Sequence, residues 1–382
     1  MGDGARPTIT VAWSDPPVDL TPAVTRLVIE DHDRLIDEAR VTLADGHSIA
    51  SNAFAAGQQI EIAMGWDGVN TKVFHGKIVR TDGAGGVSSG GSGGQLTLVV
   101  HDPSAELHQP RGPRTFAAGT DLQGIVGQIM RDYPSIPVGG IECEPNPTYQ
   151  APHVPHLVDR TDFQFLQDLA AVWGARCFVE VNDDRGQFYF KSIRSLWAAE
   201  PLATLSYCQG WGNVRTFRYE RVAARAARQL ATTAVDPRTG APTRSQGAEP
   251  PPPTPPGGAL GSDLAAANPT LASNNDAALS VAAGAVPVTV TTPTELLGLP
   301  SDPARAAALV VTDPTMVSGF RGVATVAGHI GLRAKGRCEI NGIAPWAEGN
   351  WWIKRATHTW LQARDARGRA QATWETELEV TR

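Results

Sequence analysis

From Pro7 to Pro103 the chain carries short β-branched runs in which apolar residues recur at every second position. The runs are Val24 to His32, Ala39 to Asp45, Gln58 to Trp66, Lys72 to Asp82 and Gln95 to Pro103. Ile60, Ile62 and Met64 fall on one side of their run, and Leu96, Leu98 and Val100 on one side of theirs, as in strands with one buried face. Turn residues separate the runs at roughly ten-residue spacing, which predicts a small antiparallel barrel or sandwich. The Gly/Ser stretch from Gly83 to Gly94 reads as a flexible hairpin tip.

After Pro103 the period changes. Thr120 and Asp121 form an N-cap signal, and Leu122, Ile125, Val126, Ile129 and Met130 share one helical face. Pro134 ends that helix. A second helix is predicted from Thr161 or Asp162 to Gly174, with Phe165, Leu166, Leu169 and Trp173 on one face and Gln167 on the opposite one. Residues 177–192 read as a hairpin turning at Asn182 to Gly186, and Phe178, Val179, Phe188 and Phe190 are expected to pack under the helix.

Strand character returns at Leu202 to Arg221. The segment Thr232 to Gly261, with its AEPPPPTPPGG run, suits neither helix nor central strand, and Asp263 to Ala285 is rich in Ala, Asn and Ser. A long exposed excursion is expected there, partly disordered, with a short helix near Asp302 to Leu309. Strands resume at Gly319 to Gly328, Gly336 to Gly342, Asn350 to Gln362 and Gln371 to Thr381. In the last, Ala372, Trp374, Thr376, Leu378 and Val380 face one way. His75 and His358 each stand between apolar residues in a strand of their β-unit, a hint of tandem related modules. The predicted organisation is α+β, mainly β. It comprises a first β-unit (residues 1–105), an α/β insert (106–201), and a second β-unit (202–231 and 304–382) interrupted by the Pro/Gly/Ala-rich insertion at 232–303.

Composition narrows the function classes. The 382 residues are 42% hydrophobic and 19% charged, which supplies real cores. A formal charge of 33 − 39 = −6, with no basic run, argues against a nonspecific grip on nucleic acid or anionic lipid. Cys143, Cys177, Cys208 and Cys338 have no C-x-x-C spacing and are expected as reduced, mostly buried thiols. Neither a signal peptide nor a membrane span is predicted, so synthesis and assembly in the cytoplasm are expected.

Several motifs resemble chemistry. Two G-x-S-x-G matches lie inside Gly86 to Gly94, between strands, where a nucleophile elbow would need a following helix. His153 and His156 form H-x-x-H in a Pro-interrupted segment without an accompanying Glu. Asp183 and Asp184, near Glu180, lack the spacing of a calcium loop. Asp31, His32 and Asp33 alternate faces along a strand and cannot converge alone. No catalytic, cofactor-binding or metal-ligating residue is assigned, no cofactor is expected, and the chain is read as a non-enzyme. Ten tryptophans invite a glycan-binding reading, against which a core or interface role is set. Of the adjacent Trp351 and Trp352, one is expected to face in and the other out or into a partner.

The segments Phe74 to Val79, Phe116 to Tyr133, Val158 to Val181, Gly186 to Lys191, Gly319 to Gly328 and the closing strands from Asn350 occur in an order that resembles the phage late control gene D family. These are baseplate hub proteins of contractile tails, related to the N-terminal part of type VI secretion spike proteins. The resemblance covers nearly the whole chain outside the Pro-rich excursion. It implies two tube-like β-barrel domains flanking the α/β insert, and a homotrimer whose six modules join a sixfold inner tube to a threefold spike. The implied partners are a separate spike protein below, inner tube or tube-initiator proteins above and other baseplate proteins, within a virion or tail-like particle. Sequence recognition of nucleic acid and membrane insertion are not implied. A glycan-binding β-module and a tail-associated cell-wall hydrolase are the alternatives.

Overall fold

The structure, a computed structural model, describes residues 6–248 and 320–381 apart from 15–16, 45–53, 89–90, 145, 150, 152–153, 183–184, 208–211, 222–228, 236–241, 344–347 and 365–369. The first unit comprises β1 (Pro7–Ser14), β2 (Pro17–Asp19), β3 (Val24–His32), β4 (Glu38–Ala44), β5 (Gln59–Trp66), β6 (Val69–Ser88) and β7 (Gly91–His101). They pair antiparallel in the order β3-β4-β7-β6-β5-β1-β2. Alternate residues enclose a core that includes Leu27, Val41, Ile60, Ile62, Met64, Leu98 and Val100. Close packing explains Gly76, where an added Cβ would stand 2.2 Å from the His101 carbonyl oxygen.

The expected loose tip at Gly83 to Gly94 is instead a paired ribbon, in register from Gly83↔Leu96 to Ser88↔Gly91. Residues with little or no side chain still carry a full set of backbone donors and acceptors, and the ladder satisfies them. The described backbone of the two G-x-S-x-G matches, residues 86–88 and 91–94, is strand, and the second match runs on into strand rather than helix.

The insert follows a 3-10 helix, Pro103–His108, and contains α1 (Leu122–Met130), β8 (Val138–Glu142), α2 (Asp162–Val172), β9 (Ala175–Asn182), β10 (Arg185–Ser192) and α3 (Ile193–Ala198). Its sheet order is β8-β10-β9, with β8 parallel to β10 and β9 antiparallel to it. Asp121 caps α1 by accepting from Gly124 N at 2.7 Å, and Thr161 and Gln164 form a reciprocal capping box on α2. Arg114 donates twice to buried Asp162, at 2.6 Å each, and once to Asp132 at 2.5 Å, joining the start of α2 to the end of α1. Every apolar residue expected on the two helix faces is buried in one core with Val179, Phe188 and Phe190.

Two expectations fail here. Phe178 lies on the other face of β9, stacked on Tyr189 with centroids 5.5 Å apart, because residues 177 and 179 take the inward positions. Gln167 is only half-exposed and donates to the Arg34 carbonyl of the first unit, so the outer side of α2 is a contact between units.

The remaining strands are β11 (Thr204–Ser206), β12 (Val214–Arg221), β13 (Gln229–Val235), β14 (Pro242–Ala248), β15 (Phe320–Ala327), β16 (Arg337–Asn341), β17 (Gly349–Arg364) and β18 (Ala370–Thr381). β13 and β14 form a separate two-stranded hairpin inside the expected excursion. The Pro-rich run, the Ala/Asn/Ser run and the helix expected near Asp302 lie outside the described residues.

The two β-units are hydrogen-bonded into one 13-stranded sheet, with the order β12-β15-β18-β17-β3-β4-β7-β6-β5-β1-β2 and with β16 and β11 beside β17. The linking strand is β17. Its first residues pair with β16 (Arg337↔Trp352), and after an irregularity between Ile353 and Arg355 the same edge pairs with β3, from Arg355↔His32 to Leu361↔Arg26. A bulge re-aims a strand at such a switch. The single sheet keeps two cores, the second built from residues such as Leu205, Val326, Ile340, Trp351, Leu378 and Val380.

Candidate functional site

Tryptophans line the boundaries between units. Trp66 of β5 stacks on Trp374 of β18 with centroids 5.4 Å apart and donates to the Gly328 carbonyl at 3.2 Å. Trp360 donates to the Pro7 carbonyl at 3.4 Å. Trp351 and Trp352 are both fully buried, contrary to the expected in-and-out pair. Trp351 enters the second core, whereas Trp352 is covered by α3, packs on Trp197 at 5.5 Å and donates to Asp33 at 3.3 Å. Both faces of β17 are roofed at that point. The seven tryptophans with described side chains serve cores and seams, and Trp66, the most accessible of them, is half-buried.

All three units meet around Lys335, in the loop between β15 and β16. Its Nζ lies 2.5 Å from Asp31 Oδ1, 3.0 Å from Asp37 Oδ2 and 3.1 Å from Glu180 Oε1. Asp31 and Asp37 belong to the first unit, Glu180 to β9 of the insert and Lys335 to the second unit. The Phe178 ring, on the same side of β9 as Glu180, stands 5.2 Å from the ammonium. Arg333 adds bonds to Glu180 at 3.0 Å and to the Val181 carbonyl at 3.1 Å.

Lys335 has φ +66°, a left-handed conformation that costs a β-carbon-bearing residue free energy. Its side chain supplies the compensation. The loop is also pinned by His358, whose ring bonds the Leu332 carbonyl at 3.1 Å and the Thr376 hydroxyl at 3.0 Å. A carbonyl only accepts, so Nε2 carries the proton and Nδ1 accepts from Thr376. Burial pushes the pKa of His358 down to about 4, which keeps this arrangement neutral.

Burial alone would depress the Lys335 ammonium, but Asp31, Asp37 and Glu180 outweigh it and hold its pKa well above the ordinary value. Burial, together with the charge of Asp31, pushes Asp37 well up against the opposing pull of Lys335. Asp102 accepts from Ser104 N at 3.0 Å and Ser104 Oγ at 2.5 Å, yet burial still pushes it up to about 7. Oxygens of Asp31, Asp37 and Glu180 lie within 4.8 Å of one another, a spacing suited to a metal ion, but the lysine ammonium bonds all three.

Sequence reasoning placed Asp31 on a strand face with no convergent partner. The structure supplies partners from residues 37, 180 and 335. His75 and His358, the matched histidines of the two β-units, line the same 30 Å³ cavity beside this cluster. Asp183, Asp184 and His153 lie outside the described residues, and His156 is exposed in a loop. Cys143, Cys177 and Cys338 are free and buried, each thiol pushed up to about 12 by burial, while Cys208 lies outside the described residues. Among the described residues no helix is long and apolar enough to cross a membrane.

The opposite face of the long sheet is mostly polar across the unit boundary, with Val323 and Leu361 exposed on it. One cross-strand row passes through Thr325, Glu377, Thr357, Glu30, Glu38 and His101. Opposite charges along this face are paired, as in Arg355 with Glu379 at 2.5 Å and Arg40 with Glu38 at 2.6 Å.

No family model and no curated protein sequence matches the chain. Solved structures do. A tail protein from Neisseria meningitidis MC58 aligns over 99% of this chain and 97% of its own, with TM-score 0.62 and 14% identity. The 43 kDa tail protein of prophage MuSo2 from Shewanella oneidensis aligns over 98% of both chains, with TM-score 0.59 and 12% identity. The E. coli c3393 component of the type VI secretion system, described as similar to the T4 tail proteins gp27 and gp5, aligns over 94% of this chain and 73% of its own, with TM-score 0.53 and 9% identity. The described residues have the fold of these tail proteins.

Proposed function

We propose that the protein is a structural baseplate hub of a contractile phage tail or tail-like injection system, of the late control gene D type. The observation that carries this reading is the near-complete alignment with two phage tail proteins, which leaves little of either chain unmatched. In the reading, three copies close into a ring, each giving two β-units, so that six similar modules meet a sixfold tube while the trimer meets a threefold spike. The β17–β3 pairing supports it, because it holds the two β-units of one chain side by side in one sheet. The mostly polar face crossing that pairing suits the wall of a channel, and charges on it pair within the sheet, as Arg355 does with Glu379 and Arg40 with Glu38. The proposed partners are the spike below, the tube above and neighbouring baseplate proteins. The role is mechanical rather than catalytic.

The test is the mass of the purified chain by light scattering, over a wide concentration range because ring assembly follows mass action. Three chains per particle is the expected result. A monomer at every concentration, with or without the spike protein of the same system, would overturn the reading.

A further inference from the structure

We propose that the three-unit junction is a proton-operated clasp, closed when a proton is held among its buried carboxylates and loosened when that proton is lost. The inference does not depend on the hub reading, because it concerns how the units of one chain are held together.

The geometry gives the reason. Asp31, Asp37 and Asp102 are at most 7% exposed, and Glu180 closes the same 30 Å³ cavity. Against these four carboxylates stand one buried ammonium, Lys335, and the half-exposed guanidinium of Arg333. Each further ionisation adds like charge where water is scarce, so the cluster favours keeping a proton. Burial raises Asp37 and brings Asp102 to about 7, which makes them the carriers.

The surrounding titratable groups do not supply the missing positive charge. His75 on β6, His329 in the Lys335 loop and His358 on β17 are all shifted down by burial and are neutral above their ordinary range. His101 is turned towards Glu38 at 3.2 Å. Asp33 is taken by Arg176 at 3.5 Å and by Trp352.

The parts that would move are also defined. Asp37 accepts from His32 N at 2.8 Å, its carbonyl accepts from Asp102 N at 3.1 Å, and Asp31 accepts from Ala334 N at 2.8 Å. Charge arriving on Asp37 or Asp102 therefore acts on backbone from the β3–β4 turn, the end of β7 and the Lys335 loop together. The left-handed backbone at Lys335 gives that loop a conformation to relax from once repulsion among the ionised carboxylates opens the cluster.

The test is hydrogen–deuterium exchange of the full chain at about pH 6 and about pH 8, with rates converted to protection factors so that the intrinsic pH dependence cancels. Segments 31–37 and 329–336 should lose roughly tenfold or more in protection at the higher pH, as a shift of one pKa unit corresponds to a factor of ten. Helix α2 should not change. Asp102→Asn and Asp37→Asn should each flatten the difference. Equal protection of the two segments at both pH values would overturn the proposal, as would a loss spread equally over α2. So would an undiminished pH response in both variants. If neither variant folds, the wild-type comparison decides alone.

Discussion

The core of the insert and the junction at Lys335 are both buried, but they are held together in opposite ways. In the insert, two helices lay apolar faces on a small sheet, and one bidentate Arg114–Asp162 pair fixes their ends. At the junction, a lysine with positive φ is surrounded by carboxylates from chain segments 155 to 304 residues away. Apolar burial is additive and insensitive to pH. A buried ion cluster gains little net free energy, but it is costly to leave half-made, which makes it a device for fixing geometry.

Lys335→Met is expected to show the largest effect, a loss of about 3–5 kcal/mol in denaturant unfolding, because three carboxylates lose their common partner. Lys335→Gly should be milder by about 1 kcal/mol, since glycine accepts the left-handed backbone without strain. Combining Lys335→Met with Asp31→Asn and Asp37→Asn should recover part of the loss. No recovery would mean that the lysine acts through packing, and the contrast with the insert would fail.

Leu169→Ala, in the apolar region, should cost roughly 2–5 kcal/mol by the same measurement. Its cost should be the same at about pH 6 and about pH 8, because burial raises the Tyr133, Tyr149, Cys143 and Cys177 groups of that core and they stay neutral across the range.

The pH dependence of stability sharpens the comparison further. Asp37 and Asp102 are both raised in the folded state, so the stability they contribute is present below the ordinary carboxylate value of 3.8 and is lost as pH rises, for Asp102 through about 7. His358 is depressed, so its contribution is present above 6.5 and is lost as pH falls through about 4. The two oppose each other in mild acid. Above 6.5 only the carboxylate trend remains, and unfolding midpoints should drift downward there in the wild type and less steeply in Asp102→Asn.

The smallest effect belongs to Gln167→Ala. It removes one bond from α2 to the Arg34 carbonyl and should cost about 0.5–1.5 kcal/mol, the net worth of an ordinary hydrogen bond. A cost as large as that of Leu169→Ala would mean that the contact between insert and first unit is as strong as the insert core.

The two regions also differ in how far the sequence reveals them. The helix faces at Leu122 to Met130 and Phe165 to Trp173 were legible because a period of 3.6 is a local property and caps sit within four residues of what they cap. The alternation of β5, β7 and β18 was legible for the same reason. Misjudgements arose wherever a second partner intervened. Trp352 is buried because α3 roofs it, Phe178 points outward because Cys177 and Val179 take the inward positions, and the glycine ribbon is ordered by its own ladder. The site is the extreme case. Nothing near residue 335 in the sequence announces Asp31 or Glu180; β17 switching its pairing from β16 to β3 brings the second unit beside Asp31, and β9 of the separate insert sheet supplies Glu180.

The proposed ring of three chains would require its two β-units per chain to be held at one angle, since six modules close only if each pair keeps a set geometry, and the shared strand and the proposed clasp would supply that. Electron cryomicroscopy of the purified protein tests this most directly. The expected image is a threefold ring in which two β-units per chain alternate around a central channel, with the Glu377 and Thr357 face of the sheet turned towards the lumen. Isolated monomers, a ring with a copy number that is not three, or three chains with that face turned outward would contradict it.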